Sequence, residues 1–146
     1  MIEDFLSQQK IAIVGVSRNK NKFGNTVYKE LKKKGYQVFP VNPNATEIKG
    51  DRCFPDVEAL PEKVDGMVFV TQPKQTEIVL QSAEKVGIKK VWLQQGAESE
   101  KAIKFCEEKN IDCVFGECIL MFAEPVGFGH KLHRWVWKVF GKLPKE

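Results

Sequence analysis

Five short apolar runs, separated by segments of helical period, constrain this chain more than any other feature. The runs are KIAIVG over 10–15, YQVFPVNP over 36–43, DGMVFVT over 65–71, KKVWLQ over 89–94 and DCVFG over 112–116. A continuous apolar run, unlike an alternating one, marks a strand covered on both faces. Gly24 to Lys34 carries Val27, Tyr28 and Leu31 at helical spacing, and Gly35 suits the helix end. Pro73 fits the first turn of a helix running to about Val86, with Val79, Ala83 and Val86 on one face and Gly87 as its stop. Glu98 to Lys109 reads as a further helix with Ala102, Ile103 and Cys106 inward. The stretch 44–64 is irregular, with two prolines and a short helical turn near Asp56 to Leu60.

Strands alternating with helices of about 10 to 15 residues imply βαβ units with right-handed crossovers. The predicted fold class is therefore α/β: a single Rossmann-like, doubly wound domain over 1–146 with a mostly parallel five-stranded sheet. A helical tail is expected over about 124–146, where Leu132, Trp135, Val136 and Val139 share one helical face. That face is expected to pack on the domain or on a second copy, making a homo-oligomer. A membrane-surface helix is the sharper alternative, given the basic residues and tryptophans.

A chain of 146 residues can bury roughly two-thirds of its unfolded surface and needs no staples. No apolar run approaches the roughly 18 residues of a membrane span. The N-terminus, MIEDFLSQQK, has early acids and no apolar core of a signal peptide, so a cytoplasmic protein is expected. The net charge of +4 comes largely from RNKNK, KKK and the tail. Its plain reading is a solvated surface, and its sharper one is attraction of an anionic ligand. Nucleic acid is disfavoured, because no basic run is interleaved with stacking aromatics. Cys53, Cys106, Cys113 and Cys118 form no C-x-x-C pair and read as buried thiols.

In a doubly wound sheet, ligands bind beyond the carboxyl ends of the strands, where strand order reverses. The first such loop runs from Gly15 through Val16, Ser17, Arg18 and Lys22 to Gly24, which opens a helix. A glycine permits the tight turn, the helix N-terminus offers N–H groups and a positive dipole end, and Arg18 and Lys22 bring charge. All of this suits phosphate. Yet the dinucleotide pattern G-x-G-x-x-G is missing, with Ser17 at its second glycine, and the strand ending FPVNP offers Asn42 and Pro43 where a ribose-binding acid belongs. Ordinary NAD binding is disfavoured. GVSRN also fails the nucleophile-elbow pattern. The third loop, Val70-Thr71-Gln72-Pro73, and the fourth, Gln94-Gln95-Gly96-Ala97, supply neutral donors but no acid–base pair. His130 and His133 make an H-x-x-H without a third ligand, so no metal site is expected.

Four stretches together, IAIVGVSRNKNKFGNTVYKELKKKGYQVFPVNP, VDGMVFVTQP, VWLQQGAES and GECILM, resemble the small stand-alone CoA-binding proteins. These are similar to the CoA-binding N-terminal domain of the succinyl-CoA synthetase alpha subunit. The resemblance covers about Ile11 to Met121. It implies that Gly15, Val16, Ser17 and Arg18 hold CoA phosphates, with Lys22 as a helper, and that Asn42 and Pro43 lie near the adenine nucleotide. It implies that Val70, Thr71 and Pro73 flank the ligand. Gln95 and Gly96 match a loop that reads threonine-glutamate-glycine in the synthetase, so Gln95 replaces an acid. The lack of an acid after the second strand suits a ligand with an additional 3′-phosphate. The synthetase carries its catalytic histidine on a second domain that a chain of this length does not hold. The resemblance thus transfers binding of CoA or an acyl-CoA without ligase chemistry. Cys118 lies where the pantetheine arm would approach. A mixed disulfide is conceivable there, but a structural thiol is the favoured reading. The rival expectations are an NAD(P)-binding oxidoreductase or redox regulator, and a CoA-binding subunit of an acyl-CoA ligase complex.

Overall fold

The computed structural model describes residues 2–17, 22–48 and 50–122. Arg18, the expected tail helix over 124–146, His130 and His133 lie outside the described residues. In chain order the elements are α1 (Ile2–Leu6), β1 (Lys10–Val14), α2 (Phe23–Lys33), β2 (Gln37–Val41), β3 (Glu47–Ile48) and β4 (Asp51–Arg52). A 3-10 turn at Val57–Ala59 follows, then β5 (Gly66–Phe69), α3 (Pro73–Lys85), β6 (Lys90–Leu93), α4 (Glu100–Glu108), β7 (Asp112–Phe115) and a 3-10 turn at Ile119–Met121.

Each of the five apolar runs forms a strand of one sheet, in the order β2-β1-β5-β6-β7. Every neighbouring pair in it is parallel, and Val14 at the end of β1 stands between Val41 and Phe69. The predicted doubly wound parallel sheet is thus the observed one. Successive side chains leave the sheet on opposite faces, which is why the runs had to be apolar throughout. Ile11, Ile13, Val68, Trp92 and Val114 join Val27, Tyr28 and Leu31 of α2 in one core layer. Ala12, Val14, Met67, Phe69, Val91 and Leu93 meet Leu80, Ala83, Ala102 and Cys106 of α3 and α4 in the other. Pro40 sits inside β2, where its missing N–H is harmless because β2 is an edge strand. Its carbonyl instead accepts from the Phe54 N–H at 3.0 Å.

Three features depart from the sequence reading. The buried stripe of α3 is Thr76, Leu80 and Ala83, and Val86 is 37% exposed at the helix end. Ala83 and the half-buried Val79 pack on the core as expected, whereas Val86 lies just past the last helical residue, Lys85. The five-residue α1 was not foreseen, since five residues show no period. It nonetheless buries Ile2 and Phe5, and the Phe5 ring stands edge-on to Trp92 at 5.6 Å. The β3–β4 hairpin hides in the irregular stretch because its strands are two residues each. Asp51 ties that hairpin to α2, its carboxylate accepting from the Tyr28 hydroxyl and the Lys32 ammonium. Those bonds, that of Lys32 first, hold the Asp51 carboxyl below its usual range. Burial, and then Asp51, push the Tyr28 phenol up.

Candidate functional site

From β1 the chain moves outward to β2, then returns to β5 on the other flank of β1. The reversal opens a crevice above the carboxyl ends of β1 and β5. Gly15 closes β1 with φ at +113°, and a Cβ on it would stand 2.1 Å from the Val70 carbonyl oxygen. Only glycine therefore lets this loop turn against the end of β5. The Val70 N–H donates to the Val14 carbonyl at 2.8 Å and locks the two strand ends together.

Two asparagines then fix the next residues of the loop. Asn42, just past β2, donates from Nδ2 to the Val16 carbonyl at 2.7 Å. Its Oδ1 accepts from the Asn44 N–H at 2.6 Å, and its own N–H donates to Phe54. Asn25, on the first turn of α2 and 4% exposed, grips Ser17 from both sides of its amide. Asn25 Oδ1 accepts from the Ser17 N–H at 2.7 Å, and Asn25 Nδ2 donates to the Ser17 carbonyl at 2.6 Å. The Ser17 N–H is thereby committed to the protein and is not a ligand donor.

Lys22 is the exposed N-cap of α2, which has no side-chain cap and no acid in its first turn. Helix α3 starts likewise, with Gln72 as a non-bonding N-cap, Pro73 next and no acid. By contrast, α4 is capped by Ser99, whose hydroxyl accepts from Ala102, and carries Glu100 in its first turn. Among the described residues, the two helices that flank the reversal thus have neither an N-cap side-chain bond nor a first-turn acid at their positive ends. Thr71 is half-buried and its hydroxyl meets that of Thr76 at 2.6 Å. Pro43 is exposed on the rim next to Asn42.

Gln95 and Gly96 follow β6, two strands away from β1, and both are exposed. Gln95 Nε2 donates to the Gly116 carbonyl at 3.4 Å, and the Gly96 N–H to Glu98 at 3.0 Å. Beneath them Gln94 is 3% exposed, with Oε1 accepting from the Ile119 N–H at 2.6 Å and Nε2 donating to the Cys118 sulfur at 3.4 Å. Cys118 is half-buried. From β2 to β7 the strand ends span about 19 Å at the usual strand spacing, long enough for an extended ligand.

The structure therefore joins Gly15, Val16, Ser17, Asn42 and Val70 into one bonded unit. It sets Lys22, Pro43, Thr71 and Pro73 around that unit and leaves Gln95 and Gly96 farther along the edge. Asn25 was missed, because a residue inside a helical pattern reads as filler until its partner is known; Gly24 and Gln94 were placed in their loops, but without the contacts they make. Among the described residues no group of three or more His, Cys, Asp or Glu could hold a metal ion. A separate hollow of about 370 Å³ between α4 and β7 is rimmed by Glu107 and Asp112, the wrong sign for phosphate.

Residues 9–124 match the family model described as a CoA binding domain. The chain belongs to this family. The CoA-binding domain is 27% identical, over 126 residues, to the ADP-forming acetate–CoA ligase II of Archaeoglobus fulgidus, an alignment covering 79% of this chain and 19% of the ligase. It is 32% identical, over 92 residues, to the alpha subunit of the ADP-forming acetate–CoA ligase II of Pyrococcus furiosus, covering 62% of this chain and 20% of that subunit. The chain thus spans about a fifth of the length of these curated relatives. Among solved structures, a conserved hypothetical protein from Pyrococcus furiosus superposes with a TM-score of 0.75 at 46% identity, covering 77% of this chain and 97% of that one. The family resemblance expected from the four sequence stretches is the one found.

Proposed function

We propose that this chain binds coenzyme A, free or acylated, along the carboxyl edge of its sheet, and does so without transforming it. One observation carries the reading. The turn at Gly15–Ser17 is held in shape between two helix N-termini that lack capping side chains and first-turn acids, and an amide, Asn42, stands where a dinucleotide site would place a carboxylate. Unopposed positive helix ends suit the pyrophosphate, with Lys22 and, next in sequence to Ser17, Arg18 adding charge. A neutral residue beside the adenine end tolerates a 3′-phosphate that an acid would repel. Gly15, Val16 and Ser17 then face the phosphates, and Asn42 and Pro43 the nucleotide. Val70, Thr71 and Pro73 flank the middle of the ligand, and Gln95 and Gly96 the pantetheine arm. Membership of a CoA-binding family supports the ligand. Calorimetric titration with CoA, dephospho-CoA and NAD tests it. The expected order is CoA tightest and NAD weakest. NAD binding without CoA binding would sink the proposal.

A second reading has its own support. In the acetate–CoA ligases similar to this chain, the matched region is only about a fifth of the whole sequence. In that reading the chain is the CoA-binding subunit of a larger acyl-CoA ligase complex. Co-purification from native cells with a stoichiometric, larger chain, and ADP-forming turnover only in its presence, would favour it over a lone binding module.

A further inference from the structure

We infer that Asn25 is a positioning residue for the phosphate loop: its side-chain amide holds the Ser17 backbone from behind and so sets the course of the Gly15–Ser17 turn that faces the proposed ligand. The inference rests on the CoA-binding reading above and extends it to a residue behind the site.

The geometry is specific to a carboxamide. Asn25 must accept from the Ser17 N–H at 2.7 Å and donate to the Ser17 carbonyl at 2.6 Å in the same conformer. Of the side chains of this size, only asparagine offers one acceptor and one donor so placed. Asn25 is buried and its own N–H donates to the Lys22 carbonyl at 3.0 Å, so its backbone is part of the first turn of α2. The loop is therefore slaved to the helix start. A bound phosphate finds the peptide and the helix N-terminus already in register, and no binding energy goes into ordering them. Loss of the amide leaves two part-buried polar groups of Ser17 without these partners, and the turn can relax.

An isosteric aspartate makes the inference distinguishable from a merely structural role. In Asn25→Asp one carboxylate oxygen still accepts from the Ser17 N–H, while the other opposes the Ser17 carbonyl. Only the protonated carboxyl can donate there. Affinity in that variant should recover as pH falls through the carboxyl titration.

The test is CoA titration of the full chain, unsubstituted and as Asn25→Ser and Asn25→Asp, with melting curves for each. It is run at neutral pH and near pH 5, and the unsubstituted chain at each pH corrects for protonation of the ligand. The expected result is a Kd raised about ten- to a hundredfold in both variants at neutral pH. The Asn25→Asp deficit should narrow on acidification. A Kd for folded Asn25→Ser within about twofold of the unsubstituted chain would overturn the inference while leaving CoA binding intact. Should the serine variant not fold, a pH-independent deficit in Asn25→Asp overturns it equally. Failure of the unsubstituted chain to bind CoA overturns the functional reading, and this inference with it.

Discussion

Gly24, in the first turn of α2, lies so close to Gly15, at the end of β1, that a Cβ on it would stand 2.1 Å from the Gly15 carbonyl oxygen. The pair does the work that two glycines of a dinucleotide fingerprint share, although nine positions separate them in the sequence. The contact makes the sign of one substitution predictable. Gly24→Ala would gain up to about 1 kcal/mol of helix propensity. The added methyl, however, meets backbone that cannot swing aside, and such overpacking typically costs about 1–3 kcal/mol. Net destabilisation and a Tm lower by several degrees are expected in thermal denaturation. A Tm equal to or above that of the unsubstituted chain would show that α2 can move away from β1.

In the proposed CoA-binding reading, Asn42 bears on which ligand is chosen. In Asn42→Asp a carboxylate opposes the Val16 carbonyl that the amide now bonds, and places negative charge beside the proposed nucleotide end. CoA, with its 3′-phosphate, should lose about tenfold more affinity than dephospho-CoA, a difference of the order expected between partly screened charges. Parallel calorimetric titrations of the two ligands measure the ratio. Equal losses would mean that the 3′-phosphate binds elsewhere.

How much of this was legible in the sequence follows from what each feature depends on. The five strands were legible because a parallel sheet covered on both faces demands runs such as IAIV and MVFV, which no other element tolerates so well. The edge at which the strand order reverses followed from topology alone, and Gly15 from the turn. Asn25 and Asn42 could be placed but not understood. Their roles rest on reaching Ser17, eight residues away, and Val16, 26 residues away. No local pattern encodes such reach. The face of α3 was legible in part for a similar reason: Val79 and Ala83 do pack on the core, but Val86 falls past the helix end, and only packing against the sheet adds Thr76 and Leu80.

The chain has two tyrosines, and both phenols are raised above the ordinary value of 10.0, each chiefly by burial. Tyr36 also donates to the Leu6 carbonyl at 2.7 Å, and Tyr28 to Asp51. The folded state favours the neutral phenol more than the unfolded state does. The associated stability is therefore complete below pH 10 and drains away as pH rises toward the folded pKa values. Near-ultraviolet absorbance should show no phenolate at the pH where free tyrosine ionises. Phenolate should appear later and together with loss of helical circular dichroism. Normal titration near pH 10 in a chain that stays folded would contradict the burial of both rings.

Gln94 gives the sharpest local test of the far end of the crevice. Together with Trp92, whose Nε1 donates to the Glu117 carbonyl, it connects the end of β6 to the turn after β7, in its case through the Ile119 N–H and the Cys118 sulfur. Gln94→Leu keeps a side chain of similar volume though it branches one carbon earlier, so it removes little packing. It does leave the buried Ile119 N–H without this acceptor, and an unmade buried hydrogen bond costs about 1–3 kcal/mol. Part of that cost should stay local. The turn at Ile119–Met121 contributes Ile119 to the core, whereas Met121 is 65% exposed, so the turn can open without unfolding the sheet. Amide exchange at Ile119 should then accelerate far more than exchange at Trp92 or Val68 in the central strands. Uniform acceleration across the sheet would mean that Gln94 stabilises the whole fold and not the turn. No acceleration at Ile119 would mean that another acceptor holds that amide, and the connection between the two strand ends would have to be redrawn.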